Sequence, residues 1–591
     1  MPFDGMVLAA IKNELNETLA GCRIERVYQP RRYEIHLILS RPKGKYRLVL
    51  SADPLAARVH LTETACENPA QPPVFCMVLR KHLEGGRIAR FSQQGYDRVL
   101  TISVDTRDEI GRTSTKNLAC EIMGKHSNII LYDPDTNIIL DGIKRYSHAV
   151  SRHREVLPGL PYTPPPAQEK IDPLSISDED FFKIILQENL DTPLRDIIQR
   201  RFDGLSPVMA REVIFRAGLD PGITPDTCGQ YDLTSVYISL KDLYARAKKG
   251  DFTPTVIFSG KAVRDFTAFD LTHAGDCPRK TGTMNRVTDI FFSVKNLAAA
   301  VEQTRHSLLG TVRKELSRLK KKLSVQVSDI EAAGDAERFR IAGELITANI
   351  HRLNRGDTEV YLDNFYLENC PREKVTLDAR LSPSENAQAF FRRYNKAKKT
   401  KETASLHAQK TREEIDYLSG VENCLEIAST MEDLEQIRQE LIDQGYIKSP
   451  AAQKQRAKSE KQAVHPIPAK FVSSDGLTIL AGKNNRQNDY LTMKLAHPDD
   501  IWLHTREIPG AHVIIKTEGN KVPPSTLEEA ASLAALFSKA GRSSKVPVDY
   551  TARKFVSKPR GAKPGFVIYI NQKTIIAEPD QSLPEKLARQ D

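Results

Sequence analysis

The chain is poor in the residues that most often announce a chemistry. It has one tryptophan in 591 residues, and its eight cysteines are scattered without a single CxxC pair. That spacing excludes a zinc ribbon and argues against a disulfide framework, so reduced thiols are expected. No run approaches the roughly 18 apolar residues that a membrane span needs. The first residues, "MPFDGMVLAAIKNELN", lack a basic stretch followed by a long apolar one, so no secretory signal is expected. A cytoplasmic protein without a membrane partner follows from these absences. There is also no GxxxxGK[ST], no strand–GxGxxG–helix, no HExxH and no GxSxG. The sequence therefore reads as a non-enzyme, with no cofactor, no catalytic residue and no metal site expected.

What the chain does have is length and positive charge. A chain of 591 residues implies roughly three to five domains. Lys and Arg number 86 against 76 acids, a net charge of +10. An excess of that sign on a large chain favours a polyanionic partner, with nucleic acid first, provided that the charge is clustered.

The texture of the sequence predicts a multidomain α/β plus α architecture. Residues 1–170 read as a mixed α/β domain: a helix over "DGMVLAAIKNELNETLAG", then strands such as "YEIHLILS", "YRLVLSAD" and "DRVLTISV". Residues 172–232 turn helical, and "PLRDIIQRRFDGLSPVMAREVIFRAG" outlines a helix–hairpin–helix whose turn amides could approach a phosphate, or an ordinary helical pair. Residues 233–290 return to short strands and are expected to complete the first domain. Residues 293–445 carry a seam at three-, four- and seven-residue steps, including Val301, Leu308, Val312, Leu316 and Leu319, and then Leu418, Val421 and Leu425. Two such helices around a short strand predict a long antiparallel coiled-coil arm. Ser382, Pro383 and Glu385 signal the start of the second helix by a capping box. A basic Ala/Gln/Lys-rich linker at 448–466 leads to a small α/β domain over 467–591.

Positive charge clusters twice. "NAQAFFRRYNKAKKTK", residues 386–401, has six cations and no acid, with aromatics that could instead be seam residues. Residues 541–574 hold eight cations, among them Arg553, Lys554, Lys558, Arg560 and Lys563, against the one acid Asp549. Segregated charge is the footprint expected for phosphate contacts. In the same domain "DDIWLHTREIPGAHVII" crowds Asp499, Asp500, His504, Arg506, Glu507 and His512 around Trp502. It could be a catalytic centre, a metal site, a hydrogen-bonded hairpin anchored by Trp502, or an RNA clamp in which His504 and Arg506 face the nucleic acid.

"MP" ahead of a β-rich domain and a helix–hairpin–helix is similar in outline to the DNA glycosylases that use an N-terminal proline amine. Those need a glutamate after the proline, and this chain has Phe3. The fuller resemblance is to the NFACT family. It rests on "MPFDG", "GYDRVL", "EIMGKHSNIIL", "VLPGLPY", "LSPSENAQAFFRRYNK", "GKNNRQNDYLT" and "DIWLHTREIPGAHVII", in that order along nearly the whole chain. The resemblance implies an NFACT-N domain, a helix–hairpin–helix, a coiled-coil arm and an NFACT-R RNA-binding domain. It implies a ribosome quality-control factor that binds the large (50S) ribosomal subunit, with its rRNA, carrying a stalled peptidyl-tRNA. Such a factor recruits tRNA, alanyl-tRNA in bacteria, for template-free tailing of the nascent chain, which marks it for degradation. The arm would reach a stalk-base ribosomal protein. The family's tRNA-engaging pair falls on Asp97 and Arg98, with Lys125 and His126 of "EIMGKHSN" as a second contact. By side chain alone, Asp97 and Arg98 could instead be a local ion pair. A DNA glycosylase-like enzyme and a fibronectin-binding surface adhesin remain the alternative readings.

Overall fold

The computed structural model describes residues 3–42, 44–107, 111–147, 154–166, 168–260, 262–448 and 467–587. Most of the basic linker expected at 448–466 therefore lies outside the described residues. The chain forms two compact units, Met1–Ala298 and Ala299–Asp591.

The first unit is built on an antiparallel sheet. Helix α1 (Gly5–Leu19) starts where Asp4 accepts from the Val7 amide at 2.9 Å and stops before Gly21, whose φ is +80°. Its Met6, Val7, Leu8, Ile11, Leu15 and Leu19 are fully buried. Strands β1 (Arg23–Arg31), β2 (Glu34–Arg41), β3 (Gly44–Ser51), β4 (Arg58–Leu61), β5 (Arg87–Ser92), β6 (Val99–Arg107), β7 (Thr113–Glu121), β8 (Asn128–Asp133) and β9 (Ile138–Gly142) make one sheet. Its order is β4-β3-β2-β1-β5-β6-β7-β8-β9. Helix α2 (Val74–Leu83) joins β4 to β5.

Four helices follow: α3 (Asp178–Leu186), α4 (Leu194–Arg201), α5 (Pro207–Arg216) and α6 (Gln230–Lys249). The helical texture thus runs past the expected boundary at 232. Gly229 opens α6, and Gly250, with φ +76°, closes it. The strands expected after it are β10 (Thr255–Ser259), β11 (Ala262–Thr267) and β12 (Arg279–Thr281), a separate sheet in the order β11-β10-β12. Phe266 and Val256 from this sheet, Ile198 and Val213 from the helices and Ile102 from the large sheet belong to one buried cluster. That single apolar core ties residues far apart in sequence into one body.

The second unit begins within the long helix α7 (Met284–Ala332), of 49 residues. A 3₁₀ turn at Ala333–Asp335 separates it from α8 (Ala336–Ala348), where the sequence had suggested one unbroken helix. A hairpin of β13 (Glu359–Asp363) and β14 (Arg372–Thr376) follows. Helix α9 (Pro383–Ile427), of 45 residues, opens on the capping box: Glu385 accepts from the Ser382 amide at 2.7 Å, and Ser382 accepts from the Glu385 amide at 3.3 Å. It breaks before α10 (Met431–Asp443), which Thr430 caps. Helices α7 and α9 run antiparallel. Arg305 donates to the Ala428 carbonyl at 2.6 Å, and Arg313 pairs with Glu422 at 2.7 Å and with Glu426 at 3.0 Å. Leu308, Val312, Leu316 and Leu319 of α7 share a buried cluster with Leu418, Val421 and Leu425 of α9 and with Ile437 and Leu441 of α10. Phe390 and Phe391, the aromatics of the first basic cluster, pack against Leu345, Ile346 and Leu362, so they are seam residues.

The chain ends in a six-stranded sheet of β15 (Ala469–Val472), β16 (Thr478–Ala481), β17 (Ile501–Thr505), β18 (Val513–Ile515), β19 (Val546–Ala552) and β22 (Lys573–Ala577), with the small pair β20 (Val556–Ser557) and β21 (Ile568–Tyr569) beside it. Helix α11 (Asn485–Tyr490) follows β16, and α12 (Pro524–Leu536) covers one face. Strand alternation divides the motif. Leu503, Val513 and Ile515 face α12, while Trp502 and Ile514 face the other way, onto Leu491 and Val556. No described helix is long and apolar enough to cross a membrane.

Candidate nucleic-acid interface

Asp97 and Arg98 sit on the turn that leads into β6. Gly95 takes φ +52°, and the Asp97 amide donates to Gln94 O at 3.0 Å. Asp97 Oδ1 accepts from the Arg98 amide at 2.7 Å rather than from its guanidinium. The Arg98 carbonyl receives the Ile122 amide at 2.8 Å. Both side chains are half-buried, and among the described residues the Arg98 guanidinium has no carboxylate partner. The alternative of a local ion pair is therefore not what the structure contains. A planar, always-charged fork with free N–H donors is suited to bidentate contact with a phosphate or a base edge.

The pairing of β6 with β7, Val99 opposite Glu121, brings a second expected site to the same end of the sheet. Lys125 and His126 occupy the 3₁₀ turn Gly124–His126 and are exposed. Ser127 holds this turn, its hydroxyl accepting from the Met123 amide at 2.8 Å. Behind it, buried Glu121 grips Arg154 and accepts from the Tyr162 hydroxyl at 3.2 Å.

Lys170 belongs to this place and was missed in the sequence. Its ammonium donates to Gln199 O at 2.9 Å. Burial first, and the neighbouring Arg98 charge after it, push its pKa below the ordinary lysine value. The adjacent Ile171 donates its amide to Arg201 O at 2.9 Å and accepts from the Asp203 amide at 3.2 Å, and Asp203 in turn accepts from the Tyr96 amide at 3.0 Å. Only these long-range bonds bring Lys170 close to the 95–98 turn, so no local pattern marks it.

The helix–hairpin–helix turn departs from expectation. The turn from Phe202 to Ser206 between α4 and α5 points its groups into the protein. The Ser206 amide donates to Asp4 at 3.1 Å, and Gly204 O accepts from the Gly5 and Met6 amides at 3.1 and 3.3 Å. The Asp203 and Ser206 amides are thus taken by the protein. Phe3, where a proline-nucleophile glycosylase needs a glutamate, is 1% exposed and packs edge-on to Phe266. Glu34, His36 and Cys66 bring three potential metal-ligand atoms within 4.8 Å, but Glu34 already accepts from Arg58 at 2.8 Å and contacts His36 at 2.9 Å. A buried ion network accounts for that cluster.

In the C-terminal domain Trp502 is fully buried. His504 stacks on it at 5.7 Å between ring centroids, and His512 meets both rings edge to face. Desolvation pushes the His504 pKa down to about 4. His512, held by Thr492 at 2.8 Å, lies well below its usual value for the same reason, with His504 beside it. Both imidazoles are neutral at physiological pH, so His504 offers a ring and a hydrogen bond, not a charge. Asp500 is structural: it accepts from the amides of His497 at 2.8 Å and Thr517 at 3.0 Å and from Lys516 at 2.8 Å. Arg506 and Glu507 form the exposed turn after β17, with Glu507 at φ +56°.

The basic loop is less free than its composition suggests. Arg553 donates to Thr492 O at 2.8 Å, Lys558 pairs with Asp489, and Lys554 reaches Asp499 at 3.2 Å. Lys563 donates to the Tyr446 hydroxyl at 2.8 Å and lies 4.6 Å over the Tyr417 ring and 4.8 Å over that of Tyr446. Gly565 donates to Asp489 at 3.0 Å. Arg553, Lys558 and Lys563, read from the sequence as RNA-contact candidates, each hold a contact within the protein. Arg560 is exposed.

Residues 4–461 match the family model described as NFACT N-terminal and middle domains, and residues 468–569 match the NFACT protein RNA binding domain. The Bacillus subtilis protein named Rqc2 homolog RqcH is 40% identical over 594 residues, covering 100% of both chains. The Schizosaccharomyces pombe ribosome quality control complex subunit 2 is 22% identical, across 91% of this chain and 62% of that protein. Among solved structures, the fibrinogen binding protein from Staphylococcus aureus is 28% identical over 49% of this chain and 99% of its own, with a TM-score of 0.42.

Proposed function

The chain belongs to the NFACT family, and on that premise we propose that it is a ribosome quality-control factor that recruits tRNA to a large subunit carrying a stalled peptidyl-tRNA. Asp97 and Arg98 engage the tRNA, with Lys125, His126 and Lys170 around them. Arg98 makes the bidentate contact, and Asp97 fixes the turn while keeping an oxygen for a base amine. The α7–α9 pair is a coiled-coil arm that reaches a stalk-base protein. At 1.5 Å per residue, its 49-residue and 45-residue helices extend about 70 Å. The C-terminal domain lies against RNA through Arg506, Arg560 and the ring of His504. The protein forms no peptide bond of its own. It binds and orients alanyl-tRNA, and the ribosome performs template-free elongation of the tail that marks the nascent chain for degradation.

The observation that carries this reading is a half-buried arginine whose guanidinium has no carboxylate partner among the described residues, held on a bonded turn near Lys125, His126 and Lys170. The test is Asp97→Ala with Arg98→Ala. Large-subunit association should persist, while co-purifying tRNA and C-terminal tails disappear. Tails of normal length in the double variant would refute the reading.

A further inference from the structure

Three distant stretches meet behind Asp97 and Arg98, and glycine is needed where they touch. A Cβ on Gly5 would stand 1.8 Å from Tyr96 O and 2.7 Å from the Gly204 Cα. A Cβ on Gly204, whose φ is +79°, would stand 2.4 Å from the Tyr96 Cβ. Both clashes are with atoms that cannot rotate away. Hydrogen bonds close the same knot. The Tyr96 amide donates to Asp203, and the Gly5 amide donates to Gly204 O. Gln93 Nε2 bridges two of the strands, donating to Gly5 O at 3.0 Å and to Asp97 O at 2.8 Å. The Tyr244 hydroxyl donates to Asp203 O, and its ring meets Tyr96 edge-on at 5.2 Å. Burial raises the Asp203 pKa, and the Asp97 charge adds to it. The "DG" at 4–5, the "GYDR" at 95–98 and the "DGLS" at 203–206 are therefore one interlock. None of the bonds that tie the three stretches together uses the Asp97 or Arg98 side chain; Asp97 Oδ1 binds only within the turn, to the Arg98 amide.

We propose that this interlock is the positioning device of the tRNA site: Gly5, Gln93, Asp203 and Gly204 govern tRNA capture by fixing the 95–98 turn, without touching tRNA themselves. The proposal rests on the functional reading above. A general stabilising role would lower folding and all binding together. A positioning role separates tRNA capture from large-subunit binding, because a misplacement of about 1 Å is enough to cost a site its ligand.

Gly5→Ala tests the contact most directly but is expected to disrupt the fold, so the deciding variants are Gln93→Leu, Asp203→Leu and Asp203→Asn. Each is purified with large subunits, and bound tRNA, subunit recovery and thermal midpoint are measured together. Gln93→Leu and Asp203→Leu are expected to lower bound tRNA by at least about tenfold with subunit recovery unchanged. Asp203→Asn keeps an oxygen that accepts from the Tyr96 amide and should retain tRNA within about twofold. Folded leucine variants with full tRNA occupancy would overturn the proposal. So would an asparagine variant as defective as the leucine one, or leucine variants that lose tRNA and subunits in parallel. If Asp97→Ala/Arg98→Ala loses tRNA while the leucine variants keep it, the interlock fails and the tRNA site stands. If the double variant keeps tRNA, the functional reading itself fails.

Discussion

Arg98 and Lys563 each lie close in sequence to a glycine, and each was expected to meet RNA. Around Arg98, the protein holds the main chain: its carbonyl takes the Ile122 amide, its amide binds Asp97, and the turn before it is tied to Asp203. The guanidinium is left over. Around Lys563, the protein holds the side chain itself, between two tyrosine rings and against the Tyr446 hydroxyl. The difference teaches that a count of charges measures what a region contains, and the hydrogen bonds decide what it can offer. A site for a partner is recognised by a side chain kept waiting on a fixed backbone.

That contrast can be broken most sharply at Lys563. Replacement by alanine removes a two-ring cation–π contact and a hydrogen bond, and should cost about 2 kcal/mol of stability. RNA affinity of the folded protein should change little. A urea titration followed by Trp502 emission checks the first part, because that single tryptophan reports on the domain holding the loop. A stable variant with weakened RNA binding would reverse the assignment. A smaller effect is expected at Arg560, which is exposed. Arg560→Ala should leave stability alone and reduce the salt dependence of ribosomal-particle binding by about one unit of log–log slope. An unchanged slope would remove Arg560 from the interface.

The smallest effect concerns pH. His504 has a folded pKa of about 4, below the ordinary 6.5. Between those values the unfolded chain takes up a proton that the folded stack refuses, so stability falls as the pH drops through that window and is constant above it. His504→Phe keeps a ring on Trp502 without the proton. Its urea midpoint relative to the natural protein should therefore improve on going from about pH 7 to about pH 5. Equal shifts at both pH values would show that desolvation of His504 is not the cause.

Much of the fold was legible wherever one face of an element is wet. Helix α3 shows its wet and buried faces, with Phe181 and Ile185 inside and Asp178, Glu179 and Asp180 outside, and the Ser382 capping box marks the start of α9 to the residue. Elements whose apolar residues are sparse were not. Strand β14 reads "REKVT", and only its register against β13 and the buried Val375 reveal it. Strand β1, "RIERVYQPR", hides behind its arginines and a proline. The break between α7 and α8 falls at Ala333–Asp335, where no proline marks it in the sequence. At the site, Asp97 and Arg98 were reached through a turn and a family resemblance. Lys170 and Asp203 were not, because what brings them to the turn is a set of bonds from the helical segment. The partners of the basic loop were hidden for the same reason: Asp489, Asp499, Tyr417 and Tyr446, which contact its cations, all lie outside the window in which charge was counted.

The hairpin of β13 and β14 has a practical consequence. Cys370, in the bend between its strands, is the one exposed cysteine of the eight. A thiol-reactive dye should label it ahead of the other seven, while Trp502 is a lone fluorescent donor in the closing domain. The polypeptide thus comes supplied with both ends of an optical ruler along its second unit, and energy transfer between them would report any change in their separation.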